Sequence, residues 1–426
     1  MKKISHILML FFIGLILLSV SCSPKRRAAK SKTSQAPSLG YTTESAFFCK
    51  VKALDNGGLE RILIQIELTR GYELMTVDKL INRFAGTYVL LPDYNRKDFL
   101  GTGSIFLTKE SVKLIGPNTF SISIDIKKPN VIYALLKLEI SDLETKQKSG
   151  DELMIRLTPE KLSDKYAIFN YKTNSPLMTS YCHTGDSLNI KDISENQKTL
   201  TVFYYKNDFD AAPSPMAVGS HSVSTRFLRA DSSFQFSSDK IISFNNQGLY
   251  FFTEQGDTTN TNGIAVYVGD KRFPRLTKAS DLLKPIIYIS SNEEINEAKK
   301  SPEAKKTLDR YWIRLANGNE DAAKQTIKLY YRRITQANQL FTTYKEGWKT
   351  DMGMVYTVFG PPDKITKLKD RQIWTFTQNS NFSEINFTFI KRKNLFSENE
   401  FELQRYNEYE PIWFPVVDGW RTGSIY

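Results

Sequence analysis

The sequence predicts a mainly β N-terminal part, built as two tandem immunoglobulin-like β-sandwiches, followed by an α+β C-terminal domain made of a helical hairpin and a small antiparallel sheet. Three observations carry this expectation. Apolar and polar residues alternate with period two in segments of residues 45–160, as half-buried strands require. Helical signals and all five tryptophans (Trp312, Trp348, Trp374, Trp413 and Trp420) appear only after residue 276. Alternation then returns between residues 372 and 405.

The chain opens on a different kind of segment. Lys2 and Lys3 precede an apolar run, Ile7 to Leu18, which is too short to cross a bilayer but fits the core of a signal peptide. Small residues then lead to Cys22, in the run Leu18-Ser19-Val20-Ser21-Cys22. This resembles a lipobox, which implies that residues 1–21 are removed and that Cys22 carries the lipid. Residues 22–44 read as a flexible basic tether. Lys25, Arg26, Arg27, Lys30 and Lys32 occur between Ser23 and Thr43 with no acidic residue. Some surface-exposed Gram-negative lipoproteins resemble one another in an acidic patch after the cysteine. The opposite sign here implies an outer-membrane lipid anchor with the globular part on the periplasmic side.

Residues 45–160 are expected to form the first sandwich. Strand signals cover Ala46–Val51, residues 62–68, Gly86–Leu91, Ser104–Leu107, residues 120–126 and 136–140, and Glu152–Leu157, with turn residues such as Asp55-Asn56-Gly57-Gly58 and Gly116-Pro117-Asn118 between them. Met75–Phe84 reads as a short helix or a loop. Residues 161–275 are expected to form the second sandwich. Its candidate strands are Thr199–Tyr205, Arg226–Arg229, Ser233–Phe236, Leu249–Thr253 and Ile264–Val268, interrupted by the polar loop Asn207–Ser222.

The C-terminal domain is placed at 276–426, with a helical pair over 291–341. Ser291 and Glu294 form a capping box, and Ser301 before Pro302 reads as a second N-cap. Leu308, Tyr311, Trp312 and Leu315 share one helical face, and Asn317-Gly318 ends that helix. Ala323, Ile327, Tyr330, Tyr331 and Ile334 stripe the next.

The motif region 347–363 follows. Thr350 or Asp351 suits the N-cap of a short helix, and Gly360 with Pro361-Pro362 suits its end, although Val355, Tyr356 and Phe359 also favour a strand. Gly347, Trp348, Thr350 and Asp351, with the downstream block Phe359, Gly360, Pro361, Pro362 and Asp363, closely resemble the GWxTD domain. Met352 stands where many members carry arginine. The resemblance also covers the helical pair and Trp420-Arg421-Thr422-Gly423, and it implies a Gram-negative lipoprotein with strand-rich regions ahead of the domain, not an activity. Strands are expected at Gln372–Thr377, Glu384–Lys391 and Glu400–Arg405. The aromatic tail 406–426 has no clear period, so Trp413, Trp420 and Arg421 either pack across the domain or meet a partner.

Composition bounds the function. The net charge is +12, or +10 without Lys2 and Lys3, and outside the tether lysine and glutamate are interspersed, so no nucleic-acid partner is expected. The three histidines include His6 in the signal segment, leaving His183 and His221. Cys49 and Cys182 form no CxxC or zinc spacing, and whether they pair stays open. No catalytic, metal or cofactor site is expected. The favoured function is a non-enzymatic accessory or scaffold subunit of an envelope complex in secretion or outer-membrane assembly. It would be held to the membrane through the lipid on Cys22 and would bind envelope proteins. A glycan-, peptidoglycan- or lipid-binding module is the alternative, and an enzyme using Asp351 or Asp363 comes third.

Overall fold

The computed structural model describes residues 46–425, except Arg70, Glu195 and residues 207–208, 220–227, 257–261 and 378–383. The signal segment, Cys22, the tether and His221 lie outside the described residues.

The first sandwich has eight strands: β1 (Phe47–Asn56), β2 (Leu59–Leu68), β3 (Phe84–Leu91), β4 (Gly101–Ile105), β5 (Val112–Gly116), β6 (Thr119–Lys127), β7 (Tyr133–Asp142) and β8 (Lys148–Arg156). They form two antiparallel sheets ordered β1-β2-β6-β5 and β4-β3-β7-β8. In immunoglobulin lettering these are A-B-E-D and C′-C-F-G, so the strand order is that of the expected fold. Ile62, Ile64 and Ile66 of β2, Phe120 and Ile122 of β6, and Leu136, Leu138 and Ile140 of β7 point into one shared core. β5 was not foreseen, because Val112–Gly116 is short and bulged at Leu114/Gly116. The Met75–Phe84 segment is a helix, α1 (Val77–Arg83), capped by Thr76.

Asp142 fixes that end of the sandwich. Its carboxylate takes hydrogen bonds from Tyr72 Oη (2.7 Å), Arg83 Nε (3.0 Å) and Nη2 (2.8 Å), and the backbone N–H of Glu144 (2.9 Å). Burial alone would raise its pKa, but these donors hold it well below the usual carboxylate range.

The second sandwich contains β9 (Ala167–Asn170), β10 (Ser175–Pro176), β11 (Tyr181–His183), β12 (Ser187–Lys191), β13 (Thr199–Tyr205), β14 (Ser232–Ser237), β15 (Ile242–Ser243), β16 (Gly248–Glu254) and β17 (Gly263–Gly269). The sheets run β10-β9-β12-β15 and β11-β17-β16-β13-β14. β9, β12 and β15 correspond to A, B and E, and β13, β16 and β17 to C, F and G, with β11 added in parallel beside β17. Of the expected strand Arg226–Arg229, Leu228 and Arg229 are described and belong to no strand. Cys49 and Cys182 are free and buried, one in each sandwich core. Burial raises both thiols, Cys182 to about 12.

The C-terminal part is helical and then β. It runs α2 (Asn292–Lys300), α3 (Ala304–Leu315), α4 (Glu320–Phe341), α5 (Asp351–Phe359), β18 (Lys364–Lys367), β19 (Arg371–Phe376), β20 (Ile385–Arg392), β21 (Glu400–Leu403) and α6 (Glu410–Thr422). The strands form an antiparallel meander, β18-β19-β20-β21, with one more strand than expected. The Ser291 capping box is present. Ser301 does not cap α3 directly: that helix begins at Ala304, and the Ser301 hydroxyl accepts from Glu303 N (3.3 Å) in the turn before it. No described helix is long and apolar enough to cross a membrane.

The tail departs most from expectation. Residues 410–422 are a helix, α6, with Pro411 in its first turn and Pro415 inside it. Trp413, Val417 and Trp420 lie on its inner face at i, i+4 and i+7, and all are buried. The two prolines and Gly419 mask this stripe in a reading weighted by helix propensity.

Candidate functional site

The motif is built against α4. Asn338 is fully buried and its side chain serves two backbone groups: Nδ2 donates to Pro274 O (2.9 Å) and Oδ1 accepts from Trp348 N (3.1 Å), while its own carbonyl accepts from Thr342 Oγ1 (2.6 Å). Thr342 Oγ1 in turn accepts from Gly347 N (3.0 Å). Gly347 is thereby pressed onto α4. A Cβ there would sit 2.0 Å from Ala337 O, so no side chain fits.

Trp348 fills the core beside Tyr288, whose hydroxyl donates to Trp348 O (2.8 Å). Lys349 is buried, with its ammonium 2.6 Å from Glu346. Thr350 is the N-cap of α5: its Oγ1 accepts from Gly353 N (3.0 Å) and donates to Gly347 O (2.7 Å). Helix, not strand, is therefore the conformation of 351–359. Met352 lies in the core. A Cβ on Gly353 would stand 1.8 Å from Gly347 O, so a second glycine allows α5 to rest on the motif's own backbone.

Asp351 is not the cap. It is buried and points to β21, where Oδ2 accepts from Leu403 N (2.9 Å) and Oδ1 pairs with Arg405 Nη2. Around this pair lie further buried charges: Lys345, Glu400 and Glu402. Burial lowers the pKa of Lys345, with Glu400 and Asp351 opposing. Burial raises Glu400 from 4.5 to about 7, with Lys345 opposing. The Asp351 carboxyl is also raised by burial, against the pull of Arg405.

A strap from the second sandwich closes over these groups. Ala212 N donates to Lys349 O (2.9 Å), Lys345 Nζ to Asp210 O (3.3 Å), Arg405 Nη2 to Pro213 O (3.4 Å), and Tyr406 N to Pro215 O (3.1 Å). Beside it, Tyr205, Leu249 and Phe251 of the sandwich share a core with Tyr344 and Phe396.

The Phe359-Gly360-Pro361-Pro362-Asp363 block ends α5. Gly360 has φ +88°, a conformation that favours glycine. The free carbonyls of the last turn are met by Arg333, whose Nη1 donates to Val358 O (2.8 Å), and by Trp420 Nε1, which donates to the same oxygen (2.9 Å). Phe359 stacks among Phe376, Phe387 and Trp413. Asp363 is an exposed turn residue that accepts from Thr377 N (2.7 Å) and Oγ1 (2.8 Å). Asp351 and Asp363 thus serve separate partners rather than one cleft.

A family model matches the sequence where this geometry lies: the GWxTD domain, over residues 248–422. The chain carries a GWxTD domain. No curated protein matches the sequence. The GWxTD match starts at Gly248, in β16, ahead of the boundary expected at residue 276. Leu249 and Phe251, inside the match, share a core with Tyr344 and Phe396, so this part of the second sandwich packs with the GWxTD region.

Of the two readings left open for Trp413, Trp420 and Arg421, packing across the domain is the one seen. Trp413 and Trp420 are 4% and 0% exposed, so neither ring is offered to a partner. Arg421 ties α6 to α2: it pairs with both Glu294 oxygens (2.8 and 3.0 Å) and donates to Ile289 O (2.9 Å). Asn338, Arg405, Lys345, Glu400 and Arg333 are the residues that motif reading missed. Their partners are brought in by tertiary pairing, which leaves no local spacing to detect.

Proposed function

We propose that the protein is an outer-membrane-anchored periplasmic lipoprotein that works as a non-enzymatic scaffold or accessory subunit of an envelope complex. The observation that supports this reading is how the signature is used. Gly347 allows a backbone approach, Trp348 fills the core, Thr350 caps α5 and Asp351 locks β21 through Arg405. A signature spent on holding three layers together suits a part whose surface, and not a cleft, does the work. The alternative, a glycan-, peptidoglycan- or lipid-binding module, drew on exposed aromatic rings and on the basic balance. It is weakened by the burial of Trp312, Trp348, Trp374, Trp413 and Trp420.

Crosslinking of intact cells, followed by purification of the tagged protein and mass spectrometry, tests the scaffold role. A recurrent envelope complex is expected, and a solitary species at native expression overturns it. The anchor is tested separately: Cys22→Ser should abolish lipid labelling and release the protein from the membrane fraction.

A further inference from the structure

Both ends of the first sandwich expose large apolar side chains: Phe99, Val131, Ile132 and Tyr133 stand at the end that leads on to the second sandwich, and a second group stands at the end where the chain enters. Leu74 is 74% exposed, Phe106 78%, Leu114 50% and Leu143 46%. Strand register places them together. Phe47↔Leu68, Gly116↔Thr119, Phe84↔Asp142 and Gly86↔Ile105 all pair at this end, and each of the four residues lies within a few positions of one of those pairs. Asn118 joins the parts, accepting from Met75 N (2.8 Å) and donating to Glu73 O (3.1 Å). The Asp142 clamp holds the turn bearing Leu143 against Arg83 and Tyr72. The apolar groups therefore stand on a fixed frame. Exposed Lys79, Lys113 and Lys146 lie among them, matched by exposed Glu73, Asp78 and Glu144, so the net cationic charge at this end comes from the segment that precedes the fold.

The chain enters the fold at this same end. Ala46 O accepts from Thr69 N (3.0 Å) just before β1. Between Cys22 and Ala46 lie 23 residues, which span at most about 80 Å. They carry five basic residues and, up to Thr43, no acidic one. We infer that this end of the first sandwich docks on an anionic lipid bilayer, with Leu74, Phe106, Leu114 and Leu143 entering the interface and the basic run held to the headgroups. Apolar side chains exposed where the chain enters the fold suit contact with the lipid that the anchor would occupy, and anionic lipid attracts the five basic residues that follow Cys22. The inference rests on Cys22 as the point of attachment and adds an orientation: the second sandwich and the GWxTD domain are carried away from the membrane.

The test uses the chain from Cys22 onward, coupled at Cys22 to a maleimide phospholipid in vesicles of phosphatidylethanolamine and phosphatidylglycerol with brominated acyl chains. Cys49 and Cys182 are buried and spared. Added tryptophans report contact by quenching, measured as the difference from the parent chain. Leu74→Trp, Phe106→Trp and Leu143→Trp should be quenched several-fold more than Ile132→Trp, at the opposite end. Equal quenching at both ends, or none at Leu74 and Phe106, overturns the docking. Far-UV dichroism checks that each variant is folded, as exchanges at exposed positions should be. Mass spectrometry of the Cys22 peptide from cells reads acylation independently, so failure of the anchor and failure of the docking are told apart.

Discussion

Asp351 and Arg405 show what a single pair contributes. Both are buried, and each is the other's charge partner. Removing Asp351 leaves Arg405 in the interior with only the longer Glu402 contact (3.8 Å), and breaking a buried pair in this way costs up to about 3–5 kcal/mol. Asp351→Ala should therefore lower stability by that order in urea unfolding, and Asp351→Leu combined with Arg405→Met should recover much of the loss. A double-mutant cycle with strictly additive costs would contradict the pairing. Glu400 supplies a pH dependence. The folded carboxyl keeps its proton up to about pH 7, whereas the ordinary value is 4.5, so the folded state binds more protons between those limits. Stability from this group is thus full below 4.5 and is lost as pH rises toward 7. Glu400→Gln should remove that loss, so its stability relative to the parent should climb across the window in denaturation series. The local half of the site was legible in the sequence: a Thr cap and a Gly-Pro stop act within one turn. The Arg405 and Asn338 contacts were not, because their partners are chosen by tertiary packing.

Among elements, α5 is the most constrained. Alanine in place of glycine normally favours a helix interior by about 1 kcal/mol. Gly353→Ala should do the reverse, since its Cβ would stand 1.8 Å from Gly347 O. The expected result is a clear drop in melting temperature, and an unchanged or raised one would show that α5 does not rest on the motif's backbone. The strands of the first sandwich were legible because each alternates against one buried face. β9, β11 and β12 were not, being three to five residues long with partners in other strands. Helix α6 was hidden for a different reason. Its inward stripe is regular, but two prolines and a glycine outweigh the stripe in any reading by propensity.

At the scale of the molecule, the boundary near residue 276 is a change of secondary structure and not a line of separation. The strap through Ala212, Pro213 and Pro215 and the shared cluster of Phe251, Tyr344 and Phe396 cross it. A fragment starting at residue 276 loses both, and it should be rapidly degraded by trypsin. A fragment covering 161–426 should resist and melt in one transition. Equal resistance of the two would show that the strap adds nothing. Composition indicated where the helices begin, but it held no trace of the strap, whose contacts are mostly made by backbone groups.

The Asp351–Arg405 lock has a temporal side. Its two halves are 54 residues apart, so the carboxylate is synthesised well before the arginine that pairs with it. A nascent chain interrupted anywhere between them holds the motif without the strand that anchors it, and has no means of closing that core. Such a product is left open to proteases, while a chain that has passed Arg405 closes both the lock and the strap. Placing Arg405, and after it the core-filling helix α6, so late makes the native fold of this domain a test of whether synthesis ran through it.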